Sequence, residues 1–137
     1  MPINFDDSKA LAKLDKIKAN MPMALKAAGM VVLTAAQQTI IEGGQDWTPW
    51  KRLPKHPHQM LWDTGTLIRS LMLGDTHNIL RETDSSIIVG SNVAYSAAQQ
   101  YGYAPHSLPA RPFLLFNDAI AAQATIAYKK YLLQGVN

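Results

Sequence analysis

The sequence predicts an α+β fold in which one small antiparallel β-sheet packs against long N-terminal and C-terminal helices. Apolar residues recur at three- and four-residue spacing near both ends of the chain, the period of a helix with one buried face. Between them lie short apolar runs separated by Gly, Asp and Ser, close enough together for antiparallel pairing. At 137 residues the chain is read as one domain, residues 1–137, because single cores commonly span about 100 to 150 residues.

Taken in order, Asp6, Asp7 and Ser8 are N-cap residue types, and they precede Ala10, Leu11, Leu14, Ile17 and Lys18. This predicts an amphipathic helix to about Ala19, with lysines filling the other face. Asn20 and Pro22 then predict a break or kink, since proline suits a first helical turn but not an interior. A second helical stretch from Met23 to about Glu42 is apolar on most faces, which implies burial, and Gly43-Gly44 stops it. Residues 1–42 thus form the helical N-terminal part. Residues 43–61 are a long loop or arm without periodicity. It carries Trp47, Trp50, three prolines and the basic group Lys51, Arg52 and Lys55.

Residues 62–116 are read as a short helix, a β-meander and a loop. Asp63 or Thr64 caps a helix through Leu67, Ile68 and Leu71. Three strands follow: Leu71–Leu73, then Asn78–Glu82 after the turn Gly74-Asp75, then Ile87–Val89 after the turn Asp84-Ser85. The last run is β-branched, which suits a buried strand. The small-residue segment Tyr95–Gln100 allows only a turn or two of helix, closed by Tyr101 and Gly102. Pro112 pushes Arg111 into an extended conformation, so the chain direction is set where Phe113 enters the core. Residues 117–137 form the C-terminal helix. Asn117 caps it, Asp118 suits its first turn, and Lys129 and Lys130 suit its last. Ile120, Ala121, Ala124, Ala127, Tyr128, Tyr131 and Leu132 make one stripe, and Gly135 ends it.

Composition narrows function by exclusion. Apolar residues make up 47% and charged ones 17%, an ordinary globular balance with somewhat few charges. The formal charge of +3 is too small to announce a nucleic-acid protein by itself. With no cysteine there is no disulfide, thiolate metal site or cysteine nucleophile. Asp6 and Asp7 stand where a signal peptide would carry positive charge and an apolar core, and no uninterrupted apolar run approaches about 20 residues. A soluble chain made in the cytoplasm, with no membrane partner, is expected.

The groupings that carry chemistry elsewhere are thin here. His56-Pro-His58 resembles half of a metal site, and completing it would need His77, His106 and Asp63 to converge. Ser91, Ser96 and Ser107 lack the Gly-x-Ser-x-Gly elbow that would expose a nucleophile. No phosphate-cradling glycine loop is present. No catalytic residue, metal or cofactor is therefore assigned. Lys51, Arg52 and Lys55, interleaved with Trp47, Trp50 and Trp62, offer cations for phosphates and rings for exposed bases. A small basic nucleic-acid-binding protein is the alternative reading, with DNA contact that is not sequence-specific.

An aliphatic strand ending in Val89-Gly-Ser91, then Ala94-Tyr95, Gln100-Tyr-Gly102 and Pro109-Ala-Arg-Pro-Phe-Leu114, resembles the phage virion-morphogenesis family of Mu-type tail-completion and head–tail joining proteins. Upstream, Trp47-Thr-Pro-Trp50 and the segment Leu61 to Ser70 (LWDTGTLIRS) fall in the order that family shows. The likeness spans Gly43 to Phe116, and the Ala- and Gln-rich C-terminal helix matches no family motif. It implies a structural phage or prophage protein of the virion, assembled in the host bacterial cytoplasm. Copies would form a ring-like homo-oligomer and dock on other virion head or tail proteins. Trp47, Trp50, Lys51, Arg52, Trp62, Tyr101, Tyr103, Arg111 and Phe113 are the candidate interface residues. The tryptophans either anchor in a neighbour or cover their own core, and Arg111 either serves the fold from within or pairs across a subunit boundary.

Overall fold

The computed structural model describes residues 7–42, 44–45, 48–49, 65–106 and 110–136. Its spine is α1, Ser8–Glu42, a single helix of 35 residues and about 52 Å at 1.5 Å per residue. Of the break or kink expected at Asn20–Pro22, the break does not occur: one helix runs through, with Pro22 inside it. Proline removes one main-chain bond there, and contacts from elsewhere in the chain hold the segment. Asn20 Nδ2 donates to the carbonyls of Leu132 and Gln134, each at 2.9 Å, and the Tyr128 hydroxyl donates to Met21 Sδ at 3.0 Å. Tertiary packing overrides a local rule.

Two-residue strands β1 (Gly44–Gln45) and β2 (Thr48–Pro49) pair antiparallel just beyond α1, inside the segment read as an unpatterned arm. Helix α2, Thr66–Ser70, opens on Gly65 in the left-handed conformation (φ 71°), a position glycine fills without strain. The caps expected at Asp63 and Thr64 lie outside the described residues.

The strand expected at Leu71–Leu73 is instead a run of turns. Leu71 and Met72 donate back to the Ile68 and Arg69 carbonyls, and Asp75 donates to Met72. Gln37 Nε2 takes the Leu71 carbonyl at 2.8 Å. Only Leu71 of the three is buried, so the triplet has no sheet face to offer.

The sheet is therefore the hairpin β3 (Asn78–Glu82) and β4 (Ile87–Ser91), in the register Asn78↔Ser91 to Glu82↔Ile87. Its turn is closed by Thr83 N donating to the Ser86 carbonyl at 2.9 Å. One sheet face rests on α1. Ile87 and Val89 point toward Gly29, where a Cβ would lie 2.8 Å from Ile87 Cδ1 and 3.0 Å from Val89 Cγ1. Ile88 points the other way and is 56% exposed, so β4 is half-covered rather than buried throughout.

Helix α3, Ser96–Tyr101, ends at Gly102, and a 3₁₀ turn follows at Ala104–His106. Helix α4, Asp118–Leu132, is capped by Asn117, whose Oδ1 accepts from Ile120 N at 2.9 Å. Ile120 and Ala124 of its expected stripe are buried, and α4 lies along α1. The core gathers Leu33, Ala36 and Ile40 of α1 with Leu67, Ile68, Leu71, Val93 and Phe113. The architecture is α+β: an antiparallel hairpin packed against a long N-terminal and a C-terminal helix.

Candidate assembly surface

The segment from Arg111 to Phe116 is held by one side chain. Gln100 Oε1 accepts from Phe113 N and Leu114 N, both at 3.1 Å, and its Nε2 donates to the Leu114 carbonyl at 2.9 Å. A glutamine amide thus stands in for the neighbouring strand that residues 113–114 lack. One residue earlier the Gln99 carbonyl accepts from Arg111 N at 2.7 Å. These bonds aim Arg111 and Phe113 inward.

Arg111 is 1% exposed and Phe113 3%. Both were candidate interface residues, and the structure places both in the chain's own interior. Burial pushes the Arg111 guanidinium below its ordinary pKa, though arginine's starting value is high enough that it stays charged at neutral pH.

Tyr101 and Tyr103 are surface groups, 80% and 47% exposed, at the end of α3 and just past Gly102. Trp47, Trp50, Lys51, Arg52 and Trp62, with Lys55, His56 and His58, lie outside the described residues. The serines weighed as nucleophiles differ. Ser91 Oγ is hydrogen-bonded to Ser70 Oγ at 2.6 Å and accepts from Val93 N at 3.2 Å, pinning the end of β4 to α2. His77 lies on the surface, where its main-chain N–H donates to Asp75 Oδ1. Among the described residues no three His, Asp or Glu side chains gather as a metal site would need.

What the described surface does offer is uncovered apolar side chain. A groove of about 490 Å3 runs between the middle of α1, the outer edge of β4 and the Leu114–Phe116 segment. Gly29 and Val32 line its floor, and Ile88 and Phe116, 56% and 69% exposed, stand at its rim. At Gly29 the hairpin comes close to α1, with Ile87 and Val89 where a Cβ would lie. Sequence reasoning missed Gly29 and Gln100. A lone glycine within a strong helix pattern was the available signal for the first. Gln100 gave none, because its partners lie 13 and 14 positions away.

A second groove of about 550 Å3 lies between the C-terminal half of α1 and the start of α4, with Thr34, Gln38 and Gln123 among its walls. A third opening sits where Lys18, Met21 and Pro22 of α1 face Glu82, Thr83 and Asp84 at the hairpin tip. Finally, Leu11 and Leu14 near the start of α1 are each 52% exposed.

Burying one leucine- or phenylalanine-sized side chain contributes about 1.5–3 kcal/mol. Helix α1 also meets the length and composition of a membrane span, with α4 and the hairpin packed on one of its faces. Comparison with protein-family models, with curated proteins and with solved structures returns no match.

Proposed function

We propose that the chain is a structural subunit of a phage or prophage virion, acting in tail completion or head–tail joining. It works by self-assembly into a ring and by docking on other virion proteins, not by catalysis. The ordered motifs from Trp47 to Leu114 support this assignment. The structural observation that carries it is the apolar groove rimmed by Ile88 and Phe116, with Leu11 and Leu14 also in solvent. Side chains of this size, left uncovered on a small domain, gain most by meeting another protein surface. Tyr101 adds an aromatic group of the kind enriched at interface centres.

Under this reading, affinity comes from apolar burial and geometry from ring closure. Sedimentation velocity over a concentration series tests it. Mass is expected to rise with concentration, or on adding other virion proteins, while Trp50→Ala weakens association and leaves the monomer folded. A chain that stays monomeric alone and beside those proteins refutes it. Salt-sensitive DNA binding that vanishes when Lys51, Arg52 and Lys55 are neutralised would point instead to nucleic-acid binding.

A further inference from the structure

The fold brings lysines from the two ends of the chain to one place. On α1, Lys9, Lys13, Lys16 and Asn20 follow one another at four-, three- and four-residue steps, so they share one face of the helix. Asn20, the last of the row, grips the Leu132 and Gln134 carbonyls at the end of α4. The row therefore runs toward the last turn of α4, which carries Lys129 and Lys130. Lys16 reaches the same place: its Cε lies 3.2 Å from where a Cβ on Gly135 would stand. All five lysines are exposed.

This end of the molecule holds the chain's positive charge. Residues 7–25 and 119–136 carry six lysines and two aspartates, an excess of four in a chain whose formal charge is +3. Within α1, no residue three or four positions from Lys9, Lys13 or Lys16 is acidic. At about 100° per residue, Asp15 projects roughly 120° round α1 from the row. Lys18 lies on the far side, at the opening shared with Glu82 and Asp84. Local helix physics does not account for the row. Like charges at these spacings oppose a helix, and the dipole disfavours Lys9 in the first turn.

We propose that Lys9, Lys13, Lys16, Lys129 and Lys130 form a docking surface for the phosphate backbone of double-stranded DNA, bound without regard to sequence. The inference does not rest on ring assembly. Between Lys9 and Lys16 this face presents no large apolar side chain, so it lacks the anchor around which a protein interface is built. Phosphates need only cations, and lysine supplies a point charge on a flexible stem.

The apolar side of the same turns argues against a bilayer. Leu11 and Leu14 lie roughly 130–170° round α1 from the row, so seating them among acyl chains would turn the lysines away from the headgroups. Size fits a duplex. Lys9 to Met21, which is level with Tyr128 of α4, covers about 18 Å of helix, or about five steps of a DNA strand.

Fluorescence anisotropy of a labelled mixed-sequence duplex of about 30 base pairs, titrated with the full chain between about 50 and 200 mM salt, tests the surface. Five engaged lysines predict that log K falls against log salt with a slope of about −4 to −5. Lys9→Gln/Lys13→Gln/Lys16→Gln is expected to bind about tenfold more weakly or worse at about 50 mM salt, with the slope reduced by about three. Lys129→Gln/Lys130→Gln reduces the slope by about two. Lys9→Arg/Lys13→Arg/Lys16→Arg keeps affinity and slope. Melting temperatures of all three variants stay within about 2 °C of the unsubstituted chain.

No duplex binding at the lowest salt overturns the inference. So does binding whose slope is unchanged in both glutamine variants and falls instead on neutralising Lys51, Arg52 and Lys55. Binding of phosphatidylglycerol vesicles or of polyglutamate, without duplex binding, overturns it in favour of a membrane or an acidic protein. Glutamine variants whose melting temperatures drop by many degrees overturn it by showing that the lysines serve the fold. A monomeric chain that binds the duplex upholds the inference and refutes self-assembly, and a ring that ignores the duplex does the reverse.

Discussion

Replacing Gly29 probes the packing on which the groove depends. A Cβ at this position meets Ile87 Cδ1 at 2.8 Å and Val89 Cγ1 at 3.0 Å, both inside normal contact. The Ile87 terminal methyl swings aside cheaply, whereas Val89 is stiff about χ1. In Gly29→Ala, relief of these contacts costs about 1 kcal/mol and the gain in helix propensity offsets it by about the same amount. Stability should therefore change little.

Gly29→Leu gains similar propensity but drives three more carbons between α1 and β4. Overpacking of about 3 kcal/mol leaves a net loss of about 2 kcal/mol. For a domain of this size that is roughly a 6–10 °C fall in melting temperature. Urea and thermal unfolding followed by circular dichroism read both variants. Ile87→Ala in the Gly29→Leu background should recover part of the loss, with a coupling of about 1–2 kcal/mol. Gly29→Leu within about 0.5 kcal/mol of the unsubstituted chain, with no coupling to Ile87, would falsify the close approach of hairpin and helix.

Gln100→Ala strips the partner from two N–H groups and one carbonyl at Phe113–Leu114. It should cost about 2–3 kcal/mol and speed hydrogen exchange at those two amides. Phe113→Ala is expected to lose about 3–5 kcal/mol of folding stability as a core truncation. Tyr101→Ala should stay within about 0.5 kcal/mol and reduce only self-association, which sedimentation distinguishes from unfolding. Asn20→Ala removes two bonds to the end of α4 and should cost about 1–2 kcal/mol, with faster exchange in residues 133–136. Normal protection there would mean that the Pro22 segment is held by packing alone.

The features legible in the sequence were those set by neighbours along the chain. Asn117 caps α4 because its side chain reaches the third residue ahead, and the Asp84-Ser85 turn is fixed within four residues. The features set by distant contacts were not legible. Pro22 stays helical because Asn20 grips carbonyls 112 and 114 positions away, and Leu71 leaves the strand pattern because Gln37 takes its carbonyl.

Ile87–Val89 looked uniformly buried from its β-branched run, but a two-stranded hairpin resting on one helix has only one covered face. Arg111 was weighed between an internal and a subunit-boundary role, and its side chain lies buried within the chain, 1% exposed. Tyr101 and Tyr103 were read from sequence as candidate contacts, and both lie exposed. The groove was not read there, since α1, β4 and residues 114–116 meet only in the fold.

Native mass spectrometry of the full chain across a concentration series tests the central claim most directly. Ring assembly predicts a monomer that gives way, as concentration rises, to a closed species of fixed copy number. A single monomer peak at all concentrations would contradict it.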